Sequence, residues 1–175
     1  MTTTAVNKSY LGELEVVNIR LVKEPSLMSE TPIASSKDAT DLISKFLAEF
    51  DREVVCVLNL ASDGKPISMN VASIGTLNSA LISPKDVLKS SILSNAAGFI
   101  MFHCHPSGNP HPSREDAVTT QRLKDAAQVL EIRFLDHIIV ACGSGRTFSF
   151  CERGLIQSDD IVASYEGMRV AERER

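Results

Sequence analysis

A fully apolar run of four residues, residues 99–102, most constrains the fold of this chain. Gly98 precedes the run and His103 follows it directly. A strand with no polar position has no face to turn toward water, so the run predicts a central strand covered on both sides. The sequence therefore calls for a sheet between layers of other elements.

Helix and strand patterns alternate on both sides of this run. We predict amphipathic helices that begin at Ser36, at Pro84 after the capping Ser83, and at Ser113; Gly98 is expected to end the second helix. An Asp63-Gly64 turn predicts a hairpin. Extended segments are expected at residues 54–60, 67–77, 99–102, 132–142 and 146–150. The alternation predicts an α/β fold, a three-layer α/β/α sandwich with a mixed central sheet.

The length of 175 residues fits one main domain, since a domain holds roughly 150 residues. We expect an N-terminal strand-like arm and linker at 1–35, the folded domain at 36–157, and a polar tail at 158–175 that packs lightly or frays. The sequence leaves the oligomeric state open.

Charge and hydropathy exclude several classes of partner. The net charge is −4 without any long basic block, which disfavours binding to nucleic acid through bulk charge. No apolar run approaches the roughly 20 residues that cross a bilayer, and the Thr-rich start lacks the layout of a secretion signal. These features predict a cytoplasmic protein with no membrane partner.

Four cysteines lie mostly inside apolar segments: Cys56, Cys104, Cys142 and Cys151. They form no C-x-x-C pair, so a disulfide framework or a zinc clip of thiolates has little support. We interpret them mainly as buried thiols.

Two histidines at the end of the predicted central strand are the main candidates for chemistry. Side chains two apart on a strand face the same side, so His103 and His105 can aim both imidazoles at one point while Cys104 points away. If the proline-rich loop at 104–112 folds back, Asp116 reaches the same point. Two imidazoles and one carboxylate leave a fourth tetrahedral position for water, as in a catalytic zinc site.

Each part of this constellation also has a simpler structural interpretation. Ser113 and Asp116 fit the S-x-x-D spacing of a capping box at a helix start, and a pair of histidines at a strand end is often hydrogen-bonded without a metal. His137 enters an apolar strand, so we interpret it as a buried, hydrogen-bonded core histidine, with a supporting role behind a metal ligand as the next choice. His111, between prolines, is expected to be exposed.

The stretch H-C-H-P-S-G-N-P-H-P-S-R-E-D at residues 103–116 resembles the JAMM motif of the MPN metalloproteases. It is most similar to the RadC branch, whose pattern is H-N-H-P-S-G-x-P-x-P-S-x-x-D, with Cys104 in place of the asparagine. Further resemblance at residues 75–78, 135–139 and 148–154 extends the match over about residues 50 to 156.

This resemblance implies the MPN fold, which is of the cytidine-deaminase-like type, and one zinc ion per chain held by His103, His105 and Asp116. It also implies that Glu53, at the head of the first predicted strand, is the general base, and that Ser113 donates its hydroxyl to the oxyanion. The implied activity is a metallopeptidase or isopeptidase that hydrolyses an amide bond of a peptide or protein substrate.

Other functions compete with this one. A non-catalytic or partner-binding MPN module, associated with a mobile element or with DNA maintenance, would use the same fold. Longer RadC proteins carry a helix-hairpin-helix region before this domain, and the first 50 residues here lack its Gly-containing hairpin pattern. A nucleobase deaminase would need H-x-E and P-C-x-x-C, and neither occurs. The substrate stays open because loops around the metal set specificity.

Overall fold

The structure is a computed structural model that describes residues 32–47, 50, 52–75 and 82–173. In that part of the chain the helices are α1 (Ser36–Leu47), α2 (Pro84–Leu93), α3 (Arg114–Val129) and α4 (Ile161–Arg173). The strands are β1 (Val54–Leu60), β2 (Pro66–Ile74), β3 (Gly98–His105), β4 (Arg133–Ala141) and β5 (Thr147–Ser149). The strand pattern at residues 14–22 of the predicted arm lies outside the described residues.

None of the described helices combines the length and the apolar character that crossing a membrane requires. The cytoplasmic location expected from the sequence stays a prediction.

The five strands form a mixed sheet in the order β2-β1-β3-β4-β5. Strand β1 runs antiparallel to both β2 and β3, β3 runs parallel to β4, and β5 returns antiparallel to β4. Helix α1 packs on one face, and α2 and α3 pack on the other. The predicted three-layer α/β/α sandwich is therefore confirmed.

Strand β3 lies at the centre of the sheet because both of its faces are apolar. One face packs against α1 and the other against α2 and α3. The side chains toward α1 are Ile100, Phe102 and Cys104, and those toward α2 and α3 are Phe99 and Met101. Each buried side chain of this size contributes about 1.5–3 kcal/mol relative to exposure. This burial holds the end of β3, which carries His103 and His105, in a fixed position.

The turn before β3 differs from the prediction that Gly98 ends the second helix. Helix α2 ends at Leu93, and Asn95 takes the left-handed conformation with φ 50°. Asparagine adopts that conformation more readily than most residues, which explains the earlier end. Gly98 instead starts β3, where an added Cβ would lie 3.0 Å from the Arg133 carbonyl oxygen.

The C-terminal segment packs more firmly than the expected fraying tail. Ile161 and Tyr165 of α4 are almost fully buried, in a cluster with Ile139, Phe148 and Phe150. These two side chains are four residues apart and so share one face of the helix. The Tyr165 hydroxyl also donates a hydrogen bond to the Pro112 carbonyl oxygen at 2.5 Å. Helix α4 thereby fixes the loop that leads into α3.

The cysteines differ in part from the interpretation as buried thiols. Cys56 is a buried thiol and Cys151 a partly buried one, but Cys104 and Cys142 form a disulfide with a Cα–Cα distance of 6.1 Å. The two cysteines are 38 residues apart in sequence. Their pairing arises because β3 and β4 are parallel neighbours whose ends meet at one sheet edge, and sequence spacing does not reveal such a neighbour relation.

A buried cluster of hydrogen bonds around Asp136 connects three segments of the chain. Its Oδ2 atom accepts hydrogen bonds from the hydroxyls of Ser36 at 2.8 Å and Ser149 at 2.5 Å. Its Oδ1 atom accepts one from the backbone N–H of Cys151 at 2.8 Å. Burial raises the pKa of the Asp136 carboxyl, and these hydrogen bonds oppose that effect. The cluster joins α1 to β4 and to the chain around β5.

Replacing Asp136 with Ala is expected to lower the free energy of unfolding by about 2–4 kcal/mol, since three donors lose a buried acceptor. Urea denaturation of the variant measures the loss. The matched control is Asp125→Ala, an exposed position on α3 where the expected change stays within about 0.5 kcal/mol. Equal losses in the two variants would contradict the structural role of the cluster.

Candidate metal centre

The end of β3 presents two imidazoles on the face that α2 and α3 cover. His103 is 4% exposed and His105 is half-buried, and their rings lie 4.6 Å apart, centre to centre, at 86°. Cys104 belongs to the cluster on the opposite face, as strand alternation predicts. The two histidines therefore share one side of the strand end.

The third member of the group comes from the first turn of α3. Asp116 Oδ1 lies 3.0 Å from His103 Nδ1, and Asp116 Oδ2 lies 3.8 Å from His105 Nε2. One candidate ligand atom from each of these residues lies within 4.8 Å of the other two. The structure thus brings together the three residues that the sequence singled out as metal ligands.

The chemistry of this group fits a bound cation. Within the described part of the chain, His103 has both ring nitrogens buried, and neither has a hydrogen-bond partner in spite of the short distance to Asp116. A buried polar atom without a partner costs about 1–3 kcal/mol. A divalent ion between two imidazoles and a carboxylate would satisfy such a nitrogen, so the residues fit a metal site.

A backbone carbonyl orients His105. Its Nδ1 atom lies 2.9 Å from the Asn109 carbonyl oxygen, which can only accept a hydrogen bond. The proton is therefore on Nδ1, and the Nε2 lone pair is left to face Asp116 and an ion. The sequence did not predict this contact, because every residue type carries a backbone carbonyl. The turn-forming residues Gly108, Asn109 and Pro110 indicate only that the chain bends near His105.

The structure contains the capping box that the S-x-x-D spacing of Ser113 and Asp116 predicted as the simpler interpretation of these residues. Asp116 Oδ2 accepts hydrogen bonds from the Ser113 N–H at 2.7 Å and from the Ser113 hydroxyl at 2.6 Å. The Asp116 N–H donates in turn to Ser113 Oγ at 3.1 Å. The capping box uses Oδ2 and leaves Oδ1 facing His103, so the cap is compatible with a ligand role for Asp116.

Electrostatics keep Asp116 ionised. Burial alone would raise the pKa of this carboxyl, but the adjacent His103 imidazole and the hydrogen bond from the Ser113 hydroxyl outweigh burial and hold the pKa well below its usual range. Its place in the first turn of α3, near the positive end of the helix dipole, acts in the same direction. A permanently charged carboxylate suits a metal ligand.

His137 stands behind the candidate ligands as a neutral core histidine. It is fully buried, its ring stacks on Phe150 at 4.8 Å, and its Nδ1 lies 2.7 Å from Thr120 Oγ1. Burial lowers its pKa to about 3. The ring lies 6.1 Å from that of His103, so it forms part of the wall behind the site. His111 is exposed, as expected.

Glu53, the expected general base, precedes β1 at the same sheet edge. Val54 pairs with Cys104 and Val55 with His103, so the register places Glu53 beside the level of His105. Antiparallel partners share a face, so this register, extended by one residue, predicts that Glu53 lies on the side of the sheet that carries both histidines. Its backbone is anchored, because its carbonyl oxygen accepts a hydrogen bond from the Gly75 N–H at 2.9 Å.

With this geometry established, comparison with known proteins identifies the family. A family model described as the RadC-like JAB domain matches residues 33–155. The chain belongs to the RadC-like JAB domain family. The resemblance to RadC that the motif at residues 103–116 indicated is thereby confirmed.

Relatives with similar sequences carry the name UPF0758 protein. One from Methanosarcina mazei is 33% identical over 160 residues, which cover 90% of this chain and 69% of the relative. One from Methanosarcina acetivorans is 38% identical over 87% of this chain and 66% of the relative. One from Desulfitobacterium hafniense is 38% identical over 71% of this chain and 54% of the relative. The matches span about half to two-thirds of these relatives, whose names state no activity.

We expect the chain to bind one divalent ion through the three-residue group, with Zn²⁺ as the probe. His103→Ala and His105→Ala should each weaken binding at least about 100-fold, since two ligands do not hold the ion as three do. Competition with a chromophoric chelator measures the affinity. His111→Ala is the matched control and should bind as the wild type does, because His111 lies outside the group. Equal affinity in all variants would refute the site.

Proposed function

We propose that this protein is a zinc-dependent metallopeptidase or isopeptidase of the JAMM type, which hydrolyses an amide bond of a peptide or protein. The single observation that carries the proposal is the convergence of His103, His105 and Asp116, in which the buried ring nitrogens of His103 lack hydrogen-bond partners. Two imidazoles and one carboxylate match the open ligand sets of hydrolytic zinc sites, whereas closed structural sites use four protein ligands.

A zinc ion in this site supplies Lewis acidity and makes water a nucleophile near neutral pH. In our proposal Glu53 takes the proton of the attacking water and returns it to the leaving nitrogen. Its place beside the level of His105, on the face that carries both histidines, supports that role. The proton remains on a carboxyl oxygen of Glu53 between the two steps.

Ser113 is proposed to donate its hydroxyl to the oxyanion that forms when water adds to the carbonyl. That hydroxyl donates to Asp116 Oδ2 in the structure, so it must turn from the carboxylate to the substrate oxygen. The backbone N–H of Ser113 keeps its own hydrogen bond to Oδ2, and α3 remains capped during the turn. A single donor of this kind contributes about 3–4 kcal/mol to the transition state.

A groove beside Ser113 offers a place for the substrate chain. It has a volume of about 450 Å³ and lies between residues 109–113 and α4. Met168 gives it an apolar wall, and His111 and Arg169 give it polar ones. We propose that a peptide segment next to the cleaved bond binds here, because the groove opens on the residue assigned to the oxyanion.

Replacing Glu53 with Gln should lower kcat for amide hydrolysis by about 10²–10⁴-fold, since the amide cannot accept the proton. A library of internally quenched peptides measures turnover, and elemental analysis measures retained zinc, which should not change. Glu152→Gln is the matched control, at an exposed site after β5, and should keep full activity.

Two outcomes would refute this proposal in different ways. Full activity of the Glu53→Gln protein would remove Glu53 as the base. Zinc binding by the wild type without turnover of any peptide or isopeptide would favour the non-catalytic, partner-binding module over the enzyme.

Filling the groove should weaken substrate binding and leave metal binding unchanged. Met168→Trp is expected to lower kcat/KM at least tenfold, which corresponds to about 1.4 kcal/mol, while the affinity for Zn²⁺ stays the same. Val170→Trp is the control on the same helix, at a residue that is 56% exposed and does not line the groove. A similar kcat/KM for both variants would exclude this groove as the substrate site.

A further inference from the structure

We propose that Cys104 and Cys142 form a reversible disulfide whose closure tightens metal binding at His103, His105 and Asp116. The disulfide part of this inference stands on its own, and the coupling to metal binding rests on the proposed function. The family motif has an asparagine at position 104, so the device depends on this chain's own cysteine.

The pair is placed to act on the metal ligands. Cys104 lies between His103 and His105 on β3, with its side chain on the α1 face of the sheet. Cys142 directly follows β4, the parallel neighbour of β3. Their Cα–Cα distance of 6.1 Å is typical of disulfides, which need no backbone movement in this range. The bond therefore ties the two strand ends together directly behind the candidate site.

Hydrogen bonds extend this tie to the loop that orients His105. The Cys142 N–H donates to the His105 carbonyl oxygen at 3.0 Å, and Arg146 Nη2 donates to the Gly108 carbonyl oxygen at 2.8 Å. The next residue in that loop is Asn109, whose carbonyl oxygen lies against His105 Nδ1. Movement of the chain after β4 is thus transmitted to a metal ligand.

Opening the bond requires the two sulfur atoms to move apart. Two bonded sulfurs lie about 2 Å apart. Atoms in non-bonded contact need roughly 3.5–4 Å, so reduction must separate the strand ends or turn a side chain. Ligand distances in a well-formed metal site agree with their standard values to within about 0.2 Å, so a shift of the strand ends affects the site. The structure has the bond closed and the ligands together, and we therefore assign the tighter metal binding to the oxidised form.

The chemistry needs an oxidant, and we propose a peroxide. The Cys142 sulfur, which is partly accessible, attacks the peroxide O–O bond; Cys142 becomes a sulfenic acid and an alcohol or water leaves. The Cys104 thiol, fully buried beside it, then attacks that sulfur and releases water. The two thiols lose two electrons and two protons in total. A dithiol reductant returns them and is itself oxidised to a disulfide.

The other cysteines provide controls. Cys56 is buried, and burial raises the pKa of its thiol to about 12, which keeps it unreactive. Cys151 is a partly accessible thiol outside the pair. A Cys151→Ser protein should therefore behave as the wild type does, whereas Cys142→Ser removes the bond and leaves buried Cys104 in place.

The first experiment maps the bond. The full chain is reduced with dithiothreitol, exposed to one equivalent of hydrogen peroxide, and alkylated in denaturant before mass spectrometry. We expect the number of free thiols to fall from four to two, with a Cys104–Cys142 linked peptide that dithiothreitol removes. Failure to form this link in the wild type or in Cys151→Ser, or a link that dithiothreitol does not open, overturns the proposal.

The second experiment tests the coupling without relying on activity. Zn²⁺ affinity is measured by chelator competition for oxidised wild type, reduced wild type and Cys142→Ser. We expect about 3- to 30-fold tighter binding for the oxidised form, with Cys142→Ser equal to the reduced protein. Affinities within twofold of each other overturn the coupling and leave the metal site standing. Zn²⁺ binding in neither redox state overturns the metal site and the coupling, while the peptide map still decides the disulfide.

Discussion

Strand β3 depends on burial from both sides, and the rest of the structure is arranged to provide it. Its apolar side chains pack alternately against α1 and against α2 and α3, while β1 and β4 saturate its backbone on either edge. A strand held in this way has little freedom at its end. The two imidazoles that follow its apolar run therefore project from a rigid support, as a preorganised metal site requires.

In the first turn of α3, the same residues cap the helix and form part of the candidate metal site. Asp116 caps the helix with one oxygen and faces the imidazoles with the other, and Ser113 takes part in the cap from both its backbone and its side chain. The cap places the carboxylate where the helix dipole favours its charge. Helix stability and ligand geometry are thus coupled here, and α4 supports both, because Tyr165 binds the Pro112 carbonyl just before the cap.

Much of the fold and the site follows from local sequence patterns. The apolar run at residues 99–102, the proline-rich loop and the S-x-x-D spacing predict a strand, a turn and a capped helix, and these elements bring His103, His105 and Asp116 together. The packing of α4 was not predicted, although Ile161, Tyr165 and Met168 recur at helical spacing, because spacing within a largely polar segment does not show that another surface covers it. The contact of the Asn109 carbonyl with His105 was also not predicted, because every residue type carries a backbone acceptor.

The sequence by itself determined which residues share a strand face or a helix turn, because the periods of strands and helices fix those relations over a few residues. It thereby determined the metal-ligand candidates and the layered architecture. Tertiary structure decided which strands became neighbours. The parallel pairing of β3 with β4 joined Cys104 to Cys142, and the antiparallel pairing of β1 with β3 brought the start of β1 next to the end of β3 that carries the histidines. Such contacts depend on how distant segments bury their apolar surface together, and no local spacing specifies them.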